Sequence, residues 1–151
     1  TGGAERVDSA AAALALCKPE IDYVAVHDAA RPLIDSSAID RVFAAALEHG
    51  AALLASPITS TIKRVGSSGF ITETVPRNEL WAAQTPQVAR RDWMDSAFAK
   101  RAGLAATDEA QLLEQAGYPV QAVTGPPWNL KITTAEDLKL AGALWPLVLI
   151  F

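Results

Sequence analysis

A single cysteine, Cys17, is all the thiol this 151-residue chain carries. An internal disulfide is therefore excluded, and nothing in the sequence asks for an oxidising compartment. Cations are scarce as well: 13 Lys and Arg against 17 Asp and Glu give a formal net charge of −4. That balance excludes a surface built to displace counterions from a nucleic acid, although a few local cations suffice to hold a small anion. The apolar stretch from Leu144 to Phe151 is far shorter than the roughly 20 residues a membrane-spanning helix needs, and no basic-then-apolar signal segment opens the chain. Internal repeats, low-complexity tracts and a dividing linker are also missing. These absences lead to the expectation of one cytoplasmic domain over residues 1–151.

Half of the residues are apolar and a fifth are charged, and a chain of this size buries roughly 70% of its unfolded surface without staples. The two ends suggest a fragment of a longer product. Thr1-Gly2-Gly3 is loop-like, and Pro146-Leu147-Val148-Leu149-Ile150-Phe151 is a bare apolar run that is costly to leave in water.

Asp8 or Ser9 is predicted to cap a helix ending near Leu16. Tyr23-Val24-Ala25-Val26 reads as a buried strand of a parallel sheet, because its apolar character is unbroken. The spacing of Ile39, Val42, Phe43, Ala46 and Leu47 predicts a second helix, with Ser37 and Asp40 as a capping box and Gly50 as its end. Ala51 to Ala55 follows as another strand, which gives the alternation of an open α/β sheet. Residues from about 60 to 76 read as a protruding hairpin arm turning at Gly66-Ser67-Ser68-Gly69. Its apolar positions Ile62, Val65, Phe70, Ile71 and Val75 call for cover, either by a partner chain or by the arm's own domain. Further helices are predicted over Arg91 to Lys100, with Trp93, Met94, Ala97 and Phe98 facing inward, and from Asp108 to Ala116, capped by Thr107. A strand over Pro119 to Val123 and an extended Leu130-Lys131-Ile132 follow, before a last helix capped by Thr134 with Asp137.

His27-Asp28-Ala29-Ala30-Arg31-Pro32 sits at the C-terminal end of a strand, where open α/β sheets place their ligands. A carboxylate at Asp28 can hold Mg²⁺ or a sugar hydroxyl, and Arg31 can present a planar fork to phosphate oxygens. The same spacing equally permits Asp28 and Arg31 to pair and fasten the loop. His27 reads as a satisfied buried imidazole rather than a ligand.

Seven segments stand in order along the chain: Gly2-Gly3-Ala4-Glu5-Arg6-Val7-Asp8-Ser9, the His27 to Pro32 hexapeptide, Thr61-Ile62-Lys63-Arg64, Pro76-Arg77-Asn78-Glu79-Leu80-Trp81, Gln84-Thr85-Pro86-Gln87, Thr107-Asp108-Glu109-Ala110 and Asn129-Leu130-Lys131-Ile132-Thr133. In order and spacing they resemble the motifs of the 2-C-methyl-D-erythritol 4-phosphate cytidylyltransferase family. The resemblance implies a Rossmann-like nucleotide-diphospho-sugar transferase fold, a mostly parallel α/β sheet with a protruding β-arm, lacking its N-terminal part. It also implies transfer of CMP from CTP to methylerythritol phosphate, with Mg²⁺ or another divalent cation, in a homodimer joined through the arm. By the same resemblance Lys131 helps place the substrate for attack, and Asp28 lies near ribose, metal and substrate. Arg77 reaches the substrate phosphate from the partner subunit, on the arm that also carries Thr61. Arg31 and Thr107 fall in the substrate pocket, and Gly3, Ala4 and Ser9 near the cytosine.

Against the family pattern, no glycine-rich loop with a triphosphate-gripping arginine and lysine precedes Thr1. Its loss removes charge stabilisation at the α-phosphorus, so the 151-residue chain alone is expected to show negligible transfer. Ser60 and Ala4 stand where the family often has acidic residues. Two other readings compete: a cytidylyltransferase for another polyol phosphate such as ribitol phosphate, and a non-catalytic remnant that dimerises through the arm.

Overall fold

The computed structural model describes residues 2–101, 103 and 106–148, so the end of the apolar tail, residues 149–151, lies outside the described residues. Alternating side chains decide its layering. On β2 (Ala51–Pro57) and β5 (Trp81–Arg90), Ala51 and Ala89 join one core, while Ala52, Leu54 and Val88 join the other. The two-residue repeat of a strand sends successive side chains to opposite faces in this way. The first set meets Val7 and Leu14 of α1 (Arg6–Leu14), Met94 and Ala97 of α3 (Arg91–Ala99), and Leu112 and Leu113 of α4 (Glu109–Gln115). The second meets Ala38, Val42 and Ala46 of α2 (Ser36–His49). Both faces of the sheet are thus covered by helices, the α/β layering expected from the sequence.

The strands lie in the order β1-β5-β2-β6, with β1 at Tyr23–Val26 and β6 at Gln121–Thr124. β6 runs parallel to β2, and β5 runs antiparallel to both β1 and β2. Three strands therefore share one direction. The immediate neighbour of β1 is nevertheless antiparallel, where its apolar run suggested a parallel pairing. β5 itself is absent from the sequence reading, because Gln84, Pro86 and Gln87 are poor strand residues. Its ladder with β2 slips between Leu53 and Ala55, and such an irregularity accommodates a residue with no N–H to give.

Three helices start at other caps than the sequence suggests. α1 starts after Glu5, whose N–H donates to the Asp8 carboxylate at 3.1 Å. α2 is capped by Asp35, which accepts from the Ala38 N–H at 2.7 Å, and α4 by Asp108, which accepts from Gln111. These replace the expected caps Asp8 or Ser9, Ser37 and Thr107. For α2 and α4, adjacent Asp, Ser and Thr cap almost equally well, so sequence alone does not rank them, whereas α1 is closed by a reciprocal capping box between Glu5 and Asp8. The Thr134–Asp137 cap of α5 (Ala135–Val148) forms as expected.

The arm is a two-stranded sheet of its own, β3 (Ile62–Val65) with β4 (Ile71–Val75). Phe70 at 77% exposure, Ile71 and Val65 remain uncovered by the chain's own domain.

Gly50 ends α2 with φ of 90°, and a Cβ there would run into the Trp93 ring. Gly50→Ala combines a left-handed backbone with an overpacked aromatic, so it should lower unfolding free energy by about 2–4 kcal/mol. Urea denaturation checks this, with Gly69→Ala, whose Cβ meets nothing, as the milder comparison.

Candidate active site

At the C-terminal end of β1 the chain turns through His27 and Asp28. The Asp28 N–H donates to Thr85 Oγ1 at 3.0 Å, and the same hydroxyl lies 3.0 Å from His27 Nδ1. The Arg31 carbonyl beside Nε2 can only accept, so in the neutral ring Nδ1 is the acceptor and Thr85, while accepting from the Asp28 N–H, donates to it. The imidazole proton then lies on Nε2, which donates to the Arg31 carbonyl at 3.1 Å. His27 is thereby a satisfied imidazole, as expected, although it is exposed rather than buried.

Asp28 gathers the cations. Lys131 Nζ lies 3.0 Å from Oδ2, and Arg6 Nε donates to Oδ1 at 3.1 Å. Arg31 stands farther off, with Nε 3.7 Å from Oδ2. Burial is the strongest single influence on the Asp28 carboxyl and pushes its pKa up, but the hydrogen bonds and the positive charges of Lys131 and Arg6 together outweigh it. The carboxyl is held below its usual range. Arg31 is pulled below the usual arginine value by burial, which the Asp28 charge only partly offsets. Lys131 arrives on an extended segment tied back to the Asp28 loop, since the Ile132 N–H donates to the Ala30 carbonyl at 2.8 Å.

Behind this group Arg6 spans to Glu109, with Nη1 and Nη2 donating to its two carboxylate oxygens at 2.7 and 3.0 Å. Glu109 is fully buried, with 0% exposure. Its hydrogen bonding is the main influence raising the Arg6 pKa above its ordinary value. Arg31 is held differently: Nη1 donates to the Asn129 carbonyl at 2.7 Å and Nη2 to the Ala83 carbonyl at 3.4 Å. Its buried Nε has no hydrogen-bond partner among the described residues. The cleft holds about 170 Å³ and is lined by Arg6, Asp28, Arg31, Thr107, Asp108 and Lys131, among others.

The structure thus brings together Asp28, Arg31, Thr107 and Lys131. Asp28 and Arg31 pair only loosely, so the loop-fastening alternative describes a minor contact. Gly3 and Ser9 meet each other, through a 2.9 Å bond from the Gly3 N–H to Ser9 Oγ. They sit with exposed Ala4 around the start of α1, outside the cleft lining. Thr61 and Arg77 are exposed at the base of the arm and do not line the cleft of their own chain. Arg6, Thr85, Asp108 and Glu109 lay within motifs read from the sequence but were given no role there. An arginine at the start of one helix and a glutamate at the start of another carry no sign of each other at a separation of 103 residues.

The architecture and its cleft define an open-sheet α/β domain of the Rossmann-like kind with an arginine- and lysine-lined site at its strand ends. The chain belongs to the 2-C-methyl-D-erythritol 4-phosphate cytidylyltransferase (IspD) family, whose model matches residues 1–145. It is 46% identical to the 2-C-methyl-D-erythritol 4-phosphate cytidylyltransferase of Rhodopirellula baltica, over 95% of this chain and 63% of that protein. It is also 46% identical to the protein of the same name in Symbiobacterium thermophilum, over 95% of this chain and 61% of that one. The chain therefore spans about three-fifths of the length of these curated relatives. The crystal structure of the Thermus thermophilus cytidylyltransferase superposes with a TM-score of 0.87 at 38% identity, covering 95% of this chain and 70% of that one.

Arg6→Met leaves a fully buried carboxylate without its cation. It should cost about 2–4 kcal/mol, discounted from the usual 3–5 for a broken buried pair because Arg6 is itself 32% exposed. Replacing Arg6 and Glu109 together by Met should cost distinctly less. Equilibrium unfolding of the two variants makes the comparison.

Proposed function

We propose that this domain takes part in transferring CMP from CTP to 2-C-methyl-D-erythritol 4-phosphate, with release of pyrophosphate, in isoprenoid precursor synthesis. The observation that carries the reading is the 3.0 Å contact of Lys131 with Asp28 in a cleft also lined by Arg31, within a chain of this family. A substrate phosphate oxygen attacks the α-phosphorus in line. A new P–O bond forms there, and the bond from that phosphorus to the bridging oxygen breaks, its electron pair leaving with pyrophosphate. The protein's part in such a step is positioning and cationic stabilisation.

Lys131 carries a compact charge on a flexible stem and can pass from Asp28 to a phosphate oxygen. Arg31, half-buried and anchored by neutral carbonyls, offers an Nε–H that needs an acceptor. Thr107 adds a hydroxyl at the rim. Gly3, Ala4 and Ser9 form the edge on which a cytosine would rest. The donor set fits a magnesium ion in one mode, a single carboxylate at Asp28 completed by substrate phosphate oxygens and water. Among the described residues no group of three or more potential metal-ligating side chains exists. Such an ion would neutralise phosphate charge, and Asp28 would yield part of its Lys131 contact to hold it.

Arg77 and Thr61 act in a neighbouring subunit's cleft in this reading, and the uncovered Phe70, Ile71 and Val65 of the arm are consistent with a homodimer. The reduced state expected of Cys17 and the use of CTP suit the cytoplasm. Among the described residues no helix is long and apolar enough to cross a membrane.

Assayed as its gene encodes it, the protein should release pyrophosphate from CTP with methylerythritol phosphate. Lys131→Met should lower kcat/KM by about 10²–10³-fold, the loss typical of one preorganised charge-stabilising donor. Faster turnover of ribitol phosphate would transfer the assignment to another polyol phosphate, and absence of turnover with either would favour the non-catalytic dimer. Mixing inactive Arg77→Ala and Lys131→Met subunits should restore about a quarter of the sites if Arg77 serves the partner's cleft, since random exchange makes half the dimers mixed. No recovery on mixing would place Arg77 in its own subunit's chemistry.

A further inference from the structure

Two arginines line the cleft, and their surroundings differ in kind. Arg31 is held by carbonyl oxygens and retains an unused buried donor. Arg6 is occupied by carboxylates: Nη1 and Nη2 grip both oxygens of Glu109, while Nε bonds Oδ1 of Asp28 and Nη2 lies 3.1 Å from the same atom. With its charge met twice and its fork filled, Arg6 is poorly suited to receive a phosphate.

Glu109 fixes the order of preference. A carboxylate with 0% exposure must keep its cation, whereas Asp28, at 13% side-chain exposure, is nearer to solvent. Glu109 therefore clamps the guanidinium from behind, and the remaining Nε is presented to Asp28 in a fixed direction. One Asp28 oxygen is thereby committed to Arg6 and the other is turned to Lys131, 3.0 Å away.

We propose that Arg6 is a positioning residue for Asp28, clamped by Glu109, and that this pair determines which carboxylate oxygen Asp28 offers to Lys131 and to a ligand. The proposal rests on the reading of the cleft as the site of CMP transfer, but its geometrical part is separable from that reading. Glu109 lies behind Arg6, fully buried and outside the cleft lining, so its influence on turnover would pass through Arg6 and Asp28.

The experiment pairs crystallography with a double-mutant cycle in the protein as its gene encodes it. In crystals of Glu109→Gln, one acceptor oxygen of the fork is replaced by an NH₂ group that faces the guanidinium. Arg6, no longer clamped from behind, should turn out of its wild-type orientation, and the Asp28 carboxylate it holds should rotate with it. Arg6→Lys, whose single ammonium cannot span both carboxylates, should give the same rotation and is the second variant if Glu109→Gln does not fold. Glu109→Gln should lower kcat/KM by roughly 10–100-fold, the scale of a displaced reacting group. In an Asp28→Asn background the same change should have less than about a twofold effect, because coupled residues are not additive. A purely structural role would reduce both backgrounds by the same factor, and that outcome overturns the proposal. So does an unmoved Asp28 carboxylate in crystals of both variants. Wild-type protein without CMP transfer would refute the functional reading, while the crystal comparison still decides the positioning role.

Discussion

A carboxylate held between two cations organises this domain. Asp28 reaches Lys131 with one oxygen and Arg6 with the other, and Arg6 is anchored in turn on buried Glu109. These four residues come from α1, the loop after β1, the start of α4 and the segment before α5. Their ionic contacts tie α1 and α4, which share one apolar core, to the loop after β1 and to the segment before α5. Ionic contacts of this kind contribute little net stability once desolvation is counted. What they supply is direction, since each charged atom faces a partner at a fixed angle.

The group is supported by the middle of β5, which is polar where a central strand is ordinarily apolar. Gln87 donates to the Asp108 carboxylate at 3.0 Å and accepts from the Ala110 N–H at 2.8 Å, tying the start of α4 to the sheet. Gln84 and the Thr85 carbonyl both accept from Asn129 Nδ2, at 3.1 and 2.9 Å, and the Asn129 carbonyl holds Arg31. Gly125 is required beside them, because a Cβ there would collide with the Gln84 amide. Buried polar side chains of this sort are tolerable only when nearly every donor and acceptor is matched. Here only Asn129 Oδ1 among these side-chain atoms lacks a partner among the described residues, and the remaining bonds fix the start of α4, Asn129 and Arg31, so the departure from an apolar strand has a positional purpose.

Periodicity made the helices, the β1 and β2 strands and the hairpin arm legible in the sequence, because apolar faces at spacings of three and four, or two, follow from how helices and strands bury surface. β5 was not legible. Its Gln, Thr and Pro residues satisfy tertiary partners that no local pattern reveals. The site divides in the same way. Asp28, Arg31, Thr107 and Lys131 were found through motif order and do share one cleft. Arg6 and Glu109 were overlooked because their meaning is a contact across 103 residues, and each taken alone is an ordinary charge on the first turn of a helix.

Under the proposed function, the charge balance of the cleft explains how a chain with net charge −4 can still suit a phosphorylated ligand. Arg6, Arg31 and Lys131 face Asp28, Asp108 and Glu109, so attraction does not come from excess positive charge. It comes from unequal commitment. Glu109 occupies Arg6 and Asp28 shares Lys131, whereas Arg31 has only carbonyl anchors and a distant carboxylate. Lys131, 42% exposed, can exchange a carboxylate for a phosphate oxygen without leaving an unpaired buried charge, because Arg6 still holds Asp28. A more cationic cleft would bind any anion. One whose cations are already partnered favours a ligand that repays each displaced contact in the right place, and so converts a modest gain in binding into selectivity.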